Sequence, residues 1–250
     1  MKRPLCCLVL VTIIAALATG VRFIAALEPP QSVTRGSDAT KVRRGTVPDP
    51  LLLGGEGQSI VHVGNLVYAR TKTSRCFSDH FLEKAELASA ITTSRQLHAT
   101  KLSGDELFSF PLVIMTGEGE FSLPDKERDN LRRFVERGGL LIASAGCSSA
   151  DWDRSFRREM AAVFPDLRLE PLGMNHSVFH TVYDIEELQA KHGAPRPLEG
   201  ISLGNRVGII YSQDGLNDTQ HTQGCCCCGG NEITNSVDIN VNILAYALAF

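Results

Sequence analysis

Residues 110–117 read FPLVIMTG, and residues 140–146 read LLIASAG. Each is an unbroken apolar run closing on glycine, without the alternation of a strand that has one wet face. Runs of this kind belong to strands buried on both sides, which requires helices above and below the sheet. Between them Pro124 opens a helix in its first turn, and LRRFVERGG (131–139) carries it to a glycine stop. Strand, helix, strand in that order is the repeat of a parallel sheet.

The pattern extends in both directions. IVHVGNLVYA (60–69) is rich in β-branched residues and reads as a first strand. Ser78 and Asp79 can cap a helix in which Phe81, Leu82, Ala85, Leu87 and Ala88 recur at near-helical spacing, and LHATKL (97–102) reads as a short second strand. Downstream, Asp151 or Asp153 starts a helix through FRREMAAVF, which Pro165 ends. NRVGIIYS (205–212) is a late strand. INVNILAYALAF (239–250) is an apolar helix too short to span a bilayer, so it is expected to pack on the sheet. The expected class is α/β, a mostly parallel sheet with helices on both faces.

The chain has 250 residues, 43% of them apolar, and a formal net charge of −3. It is long enough for one sizeable domain and ordinary enough in composition to fold. No basic stripe interleaved with aromatics is present, which argues against a nucleic-acid partner. At the N-terminus Lys2 and Arg3 precede an apolar run from Leu5 to Val21, the order of a secretory signal. Gly20 and Ala26 are candidate cleavage points, with Arg22 interrupting the second. The run is also close to the ~17–20 residues that span a bilayer, so an uncleaved anchor is the other expectation. Cys6 and Cys7 lie too near the start for a lipoprotein acylation site. The division expected is 1–26 signal or anchor, 27–58 flexible linker, 59–250 folded domain. The address is outside the cytoplasm, periplasmic or tethered to the cytoplasmic membrane facing outward, with membrane contact through the N-terminal segment only.

Six cysteines lie beyond the leader: Cys76, Cys147 and the consecutive Cys225, Cys226, Cys227 and Cys228 in HTQGCCCCGG (221–230). Neighbouring side chains diverge, so four adjacent thiols do not fill one tetrahedral site without contorting the backbone. Two of them can bind a transition metal such as zinc alongside His221, Cys147 or Cys76. In an oxidising compartment Cys76 and Cys147 can instead each pair with one member of the run. Gly224, Gly229 and Gly230 make the flanking backbone permissive. His176 and His180, four apart in HSVFH, are further candidate metal ligands, or ordinary polar residues on an irregular connection after Pro171.

Ligands of open parallel sheets sit beyond the carboxyl ends of the strands. Gly117, Glu118 and Gly119 follow one buried strand, and Cys147 and Ser148 follow the next. The acidic run Glu118, Glu120, Asp125, Glu127 reads as a solvated loop and a charged first helical turn.

FPLVIMTGEGEF, LRRFVERGGLLIASAGCSS, DWDRSFRREMAAVFP, NHSVFHTVYDI, LEGI and NILAYAL follow one another in an order that resembles the bacterial family called domain of unknown function 4159. The resemblance runs from about Ile60 to the end. It implies a flavodoxin-like α/β sandwich similar to class I glutamine amidotransferases, and no established activity. It also invites comparison of Cys147, between Gly146 and small residues, with the amidotransferase nucleophile on a tight strand-to-helix turn. That pattern places a His-x-Glu pair late in the chain. Here His221 is followed by Thr and Gln, and His176 by Ser and Val, so no complete triad is visible. Two functions are therefore expected: a non-enzymatic binding or interaction module of the cell envelope, taking a protein or small-molecule partner, or a thiol- or metal-dependent hydrolase or redox enzyme centred on Cys147 and the Cys225–Cys228 loop.

Overall fold

The structure, a computed structural model, describes residues 59–70, 76–225 and 230–250. The expected leader, the linker, and Cys226 to Cys228 lie outside the described residues. Seven strands form one sheet in the order β2-β1-β3-β4-β7-β6-β5. They are β1 (Val61–Val67), β2 (Thr93–Lys101), β3 (Leu112–Gly117), β4 (Leu140–Ala145), β5 (Glu170–Pro171), β6 (Glu199–Leu203) and β7 (Arg206–Ser212). Four α-helices connect them: α1 (His80–Ala88), α2 (Asp125–Glu136), α3 (Ala150–Val163) and α4 (Ser236–Ala249). The first five strands across the sheet are parallel. Their order matches the flavodoxin-like arrangement, with β7 in the fifth place.

The two glycine-ended runs occupy the centre, where every residue from Leu112 to Thr116 and from Leu140 to Ala145 is buried. Alternate side chains feed opposite cores, because successive residues of a strand point to opposite faces. Leu112, Ile114, Leu140 and Ile142 pack with Phe81, Leu82 and Leu244 of α1 and α4. Val113, Met115, Leu141 and Ala143 pack with Phe134 of α2 and Trp152 and Phe156 of α3. The apolar α4 is thus a core helix, as expected, and no helix among the described residues is long and apolar enough to cross a membrane.

The sheet is mostly parallel, as expected, and carries two antiparallel strands, β6 beside β7 and the two-residue β5 beside β6 at the edge. Two local expectations are corrected. Helix α3 begins at Ala150, one position ahead of Asp151, because the Ser149 hydroxyl accepts the Trp152 N–H and caps it. Glu127 is not solvated. It is 7% exposed, and its carboxylate accepts the Ala69 N–H at 2.8 Å, tying α2 to the turn after β1. Burial holds this carboxyl above the usual carboxylate range, opposed in part by that backbone hydrogen bond.

Ile142→Ala, in the most central strand, should cost about 2–5 kcal/mol, whereas Leu87→Ala, at an exposed site, should stay within about 0.5 kcal/mol. Denaturant midpoints of the two variants check the contrast. Glu127 gives a pH prediction. Its folded proton affinity exceeds the unfolded one, so its contribution to stability is full below the unfolded carboxylate range and lost as pH rises through the raised value. Glu127→Gln keeps an acceptor and removes the charge. The stability difference should therefore move in the variant's favour between about pH 4 and pH 7. A difference independent of pH in urea titrations would refute it.

Candidate functional site

At the carboxyl end of β4 the chain turns through Gly146, Cys147 and Ser148 into α3. Cys147 has φ +51° and ψ +29°, and Ser148 also has φ +51°. Non-glycine residues in the left-handed region carry roughly 1–2 kcal/mol of strain each, held in place only by good local contacts. Those contacts are present. The Ser149 hydroxyl donates to the Glu118 carbonyl. The Ser148 hydroxyl donates to the Asp214 carbonyl at 3.0 Å and accepts the Asn231 N–H at 2.8 Å. The Cys147 thiol faces Glu118 at the end of the neighbouring strand, Sγ to Oε1 3.6 Å.

Close approach explains two glycines beside this turn. A Cβ on Gly117 would meet the Tyr68 hydroxyl at 2.6 Å and the Trp152 indole nitrogen at 2.8 Å. One on Gly230 would meet the Cys147 backbone at 2.7–3.0 Å, so the segment after the cysteine run seats directly on the turn. Tyr68, pushed up to about 12 by burial against the opposing Trp152 hydrogen bond, stays a neutral donor to the Thr116 carbonyl.

The loop after β7 covers the same edge. Asn217 is buried; its amide donates to the Thr116 hydroxyl at 3.2 Å and accepts from the Ser144 hydroxyl, joining the ends of β3 and β4. Its carbonyl accepts the Ser78 N–H at 2.9 Å, holding the segment that leads into α1. Beyond it, Asp218 at φ +53° turns its carboxylate to the His221 ring, with Nδ1 at 2.7 and 2.9 Å from the two oxygens. The His221 ring stacks on His80, centroids 4.4 Å apart. Cys225 and Cys76 form a disulfide across the same two segments.

Residues 66–248 match a family model described as domain of unknown function (DUF4159). The chain belongs to that family. The DUF4159 match runs from β1 to α4 and so contains the whole carboxyl edge described above. No curated protein matches the chain.

Within this DUF4159 domain, Gly117, Glu118, Gly119, Cys147 and Ser148 lie on adjoining strand ends, and Cys76, His221 and Cys225 lie on the facing segments. Ser148 is committed to loop anchoring. Glu118 and Gly119 are exposed. Cys226, Cys227 and Cys228 are outside the described residues. His176 and His180 bracket a 3-10 turn, Ser177–Phe179, that packs on α4. His176 Nδ1 accepts the Val178 N–H, while His180 bonds the Met174 carbonyl and the Asp184 carboxylate, both of which favour its charged form. All of these polar partners belong to the same connection, 174–184. No three His, Cys, Asp or Glu side chains among the described residues are placed together to hold a metal ion.

The residues that organise the edge but carry no sequence motif are Asp214, Asn217, Asp218, Asn231 and His80. A cluster of Asn and Asp just beyond a buried strand, QDGLND (213–218), was the available signal. Ser148→Ala removes one donor and one acceptor from buried loop contacts and should cost about 1–3 kcal/mol. Hydrogen exchange at the Asn231 amide should rise while β4 stays protected; unchanged exchange there would show that Ser148 does not anchor the loop.

Proposed function

We propose that this chain is an exported binding module of the cell envelope, whose carboxyl-edge crevice takes a small molecule or a short segment of a partner protein. Export rests on the Lys2–Arg3 start and the apolar run Leu5 to Val21. The binding reading is supported by the strand order: ligands of open α/β sheets bind beyond the carboxyl ends of the strands where the chain connections leave in opposite directions, here beyond the adjacent β1 and β3.

One observation favours binding over catalysis. The Cys147 thiol faces the carboxylate of Glu118, 3.6 Å away. A carboxylate at that distance accepts a hydrogen bond from the neutral thiol and repels a thiolate, the opposite of what a nucleophile requires. His221 has the oriented ring of a base, but its contacts are Asp218 and His80. Exposed Glu118 and Glu120 give this edge an acceptor-rich, anionic lip, which matches a ligand bearing amine or amide donors.

A second reading has one specific support. Cys147 sits at positive φ on a strand-to-helix turn, the backbone shape of a nucleophile elbow. In that reading the Cys147 sulfur adds to the acyl carbon of an amide or ester and expels its amine or alcohol, and Glu118 is displaced when substrate enters.

The two readings separate in one comparison. The purified chain, offered glutamine and a panel of simple amides and esters, should show no saturable turnover. In thermal-shift screens it should be stabilised by amine-bearing compounds, with the shift reduced in Glu118→Gln. Saturable turnover abolished by Cys147→Ala with the fold intact would overturn the binding reading.

A further inference from the structure

We propose that the rim of the crevice holds a redox-gated zinc site: with the Cys76–Cys225 bridge reduced, the two thiolates join His80 and His221 as a Cys2His2 set. This goes beyond the binding reading and does not depend on it.

The sequence contains the set as two mirrored pairs. Cys76 precedes His80 by four residues, and His221 precedes Cys225 by four. The fold brings like to like. The two cysteines have Cα atoms 5.5 Å apart, and the two imidazoles stack with centroids 4.4 Å apart and planes 24° from parallel. The Ser78 N–H to Asn217 carbonyl bond at 2.9 Å lashes the same two segments together. Two sulfurs and two imidazoles are the donor set of a closed structural zinc site.

An independent observation points to a metal. The Asp218 carboxylate, with only 3% of its side chain exposed, holds His221 through Nδ1. A ring that gives its Nδ1–H to a carboxylate presents Nε2 as a basic lone pair, and this carboxylate–histidine pairing is the usual support of a zinc-ligating imidazole. Both imidazoles are open to entering solute, since His80 is half-buried and the His221 side chain is 43% exposed.

In the disulfide state the sulfurs carry no thiolate and do not ligate zinc. Gating follows from thiol–disulfide exchange. One thiolate of an external dithiol attacks a sulfur of the bridge, forming a mixed disulfide and expelling the other cysteine as thiolate. The second thiol of the reductant then closes its own disulfide and releases the first cysteine, so two electrons pass from the dithiol to the Cys76–Cys225 pair. Zinc binds the two sulfurs and two neutral ring nitrogens, any protons on the thiols leaving to solvent. Asp218 keeps the His221 ring in place while His80 turns about its side-chain bonds to bring a ring nitrogen to the ion. Disulfide and zinc thus close the same clamp between the α1 approach and the post-β7 loop by two chemistries.

The test uses the full chain and zinc alone as probe. Zinc-free protein, oxidised or reduced with a phosphine that leaves zinc available, is titrated against a chromophoric chelator. The reduced chain should bind one zinc per molecule and the oxidised chain none at this site. His80→Ala and His221→Ala should each weaken binding at least about tenfold, and Asp218→Asn by about tenfold. Because other thiols are present, the histidine variants decide. Retention of the Cys76–Cys225 bridge in the oxidised variants reports that their fold is intact. Zinc bound as tightly by both histidine variants as by the parent, binding to the bridged form, or no binding on reduction would each overturn the proposal.

Discussion

One buried asparagine fixes the geometry on which the functional edge depends. The side chain of Asn217 bonds Thr116 at the end of β3 and Ser144 at the end of β4, and its carbonyl receives the Ser78 N–H ahead of α1. Ser144 is itself fully buried and also accepts the Leu216 N–H at 2.7 Å, so the contact is a small network rather than a single bond. In a low-dielectric interior such a network is strong when complete and expensive when broken, because each orphaned group has no water to turn to. It makes the loop after β7 part of the sheet's rigid end. That rigidity sets His221 against His80 and Cys225 against Cys76.

The turn at Cys147 draws on the same rigidity. Two consecutive left-handed residues persist because the turn is held on several sides: by the Ser149 hydroxyl to the Glu118 carbonyl, by the Ser148 hydroxyl to the Asp214 carbonyl and from the Asn231 N–H, and by Gly230 against the Cys147 backbone. Asp214 is in turn buried and bonded to the Arg196 N–H at 2.7 Å, so the connection before β6 also joins the edge. The result is a partly exposed thiol, on strained backbone, beside an exposed carboxylate.

The central fold was legible because burial leaves a direct mark on sequence. Strands covered on both faces cannot alternate, so FPLVIMTG and LLIASAG announced themselves, and the helices between them carried ordinary start and stop residues. The antiparallel strands left no such mark: β6 is only partly buried and the two residues of β5, at the edge, are exposed, and partial burial imposes no run. Of the site, the strand-end positions Gly117 to Gly119, Cys147 and Ser148 followed from topology alone. Glu127 was misread because its burial comes from the Ala69 N–H, a partner 58 positions away. Asn217, Asp218 and His80 act through contacts across the fold, and single residues of common type carry no spacing signal by themselves. The mirrored four-residue intervals around Cys76 and Cys225 were visible in the sequence, but only the bridge and the stacked rings show that the two pairs meet.

The account makes the carboxyl edge one cooperative unit hung on Asn217, and hydrogen exchange on Asn217→Ala with the Cys76–Cys225 bridge intact tests that most directly. Protection should fall together at residues 76–80, 214–222 and 230–235, while β1, β3 and β4 keep theirs. Loss confined to residues 216–218, with the flanking segments as protected as before, would contradict it.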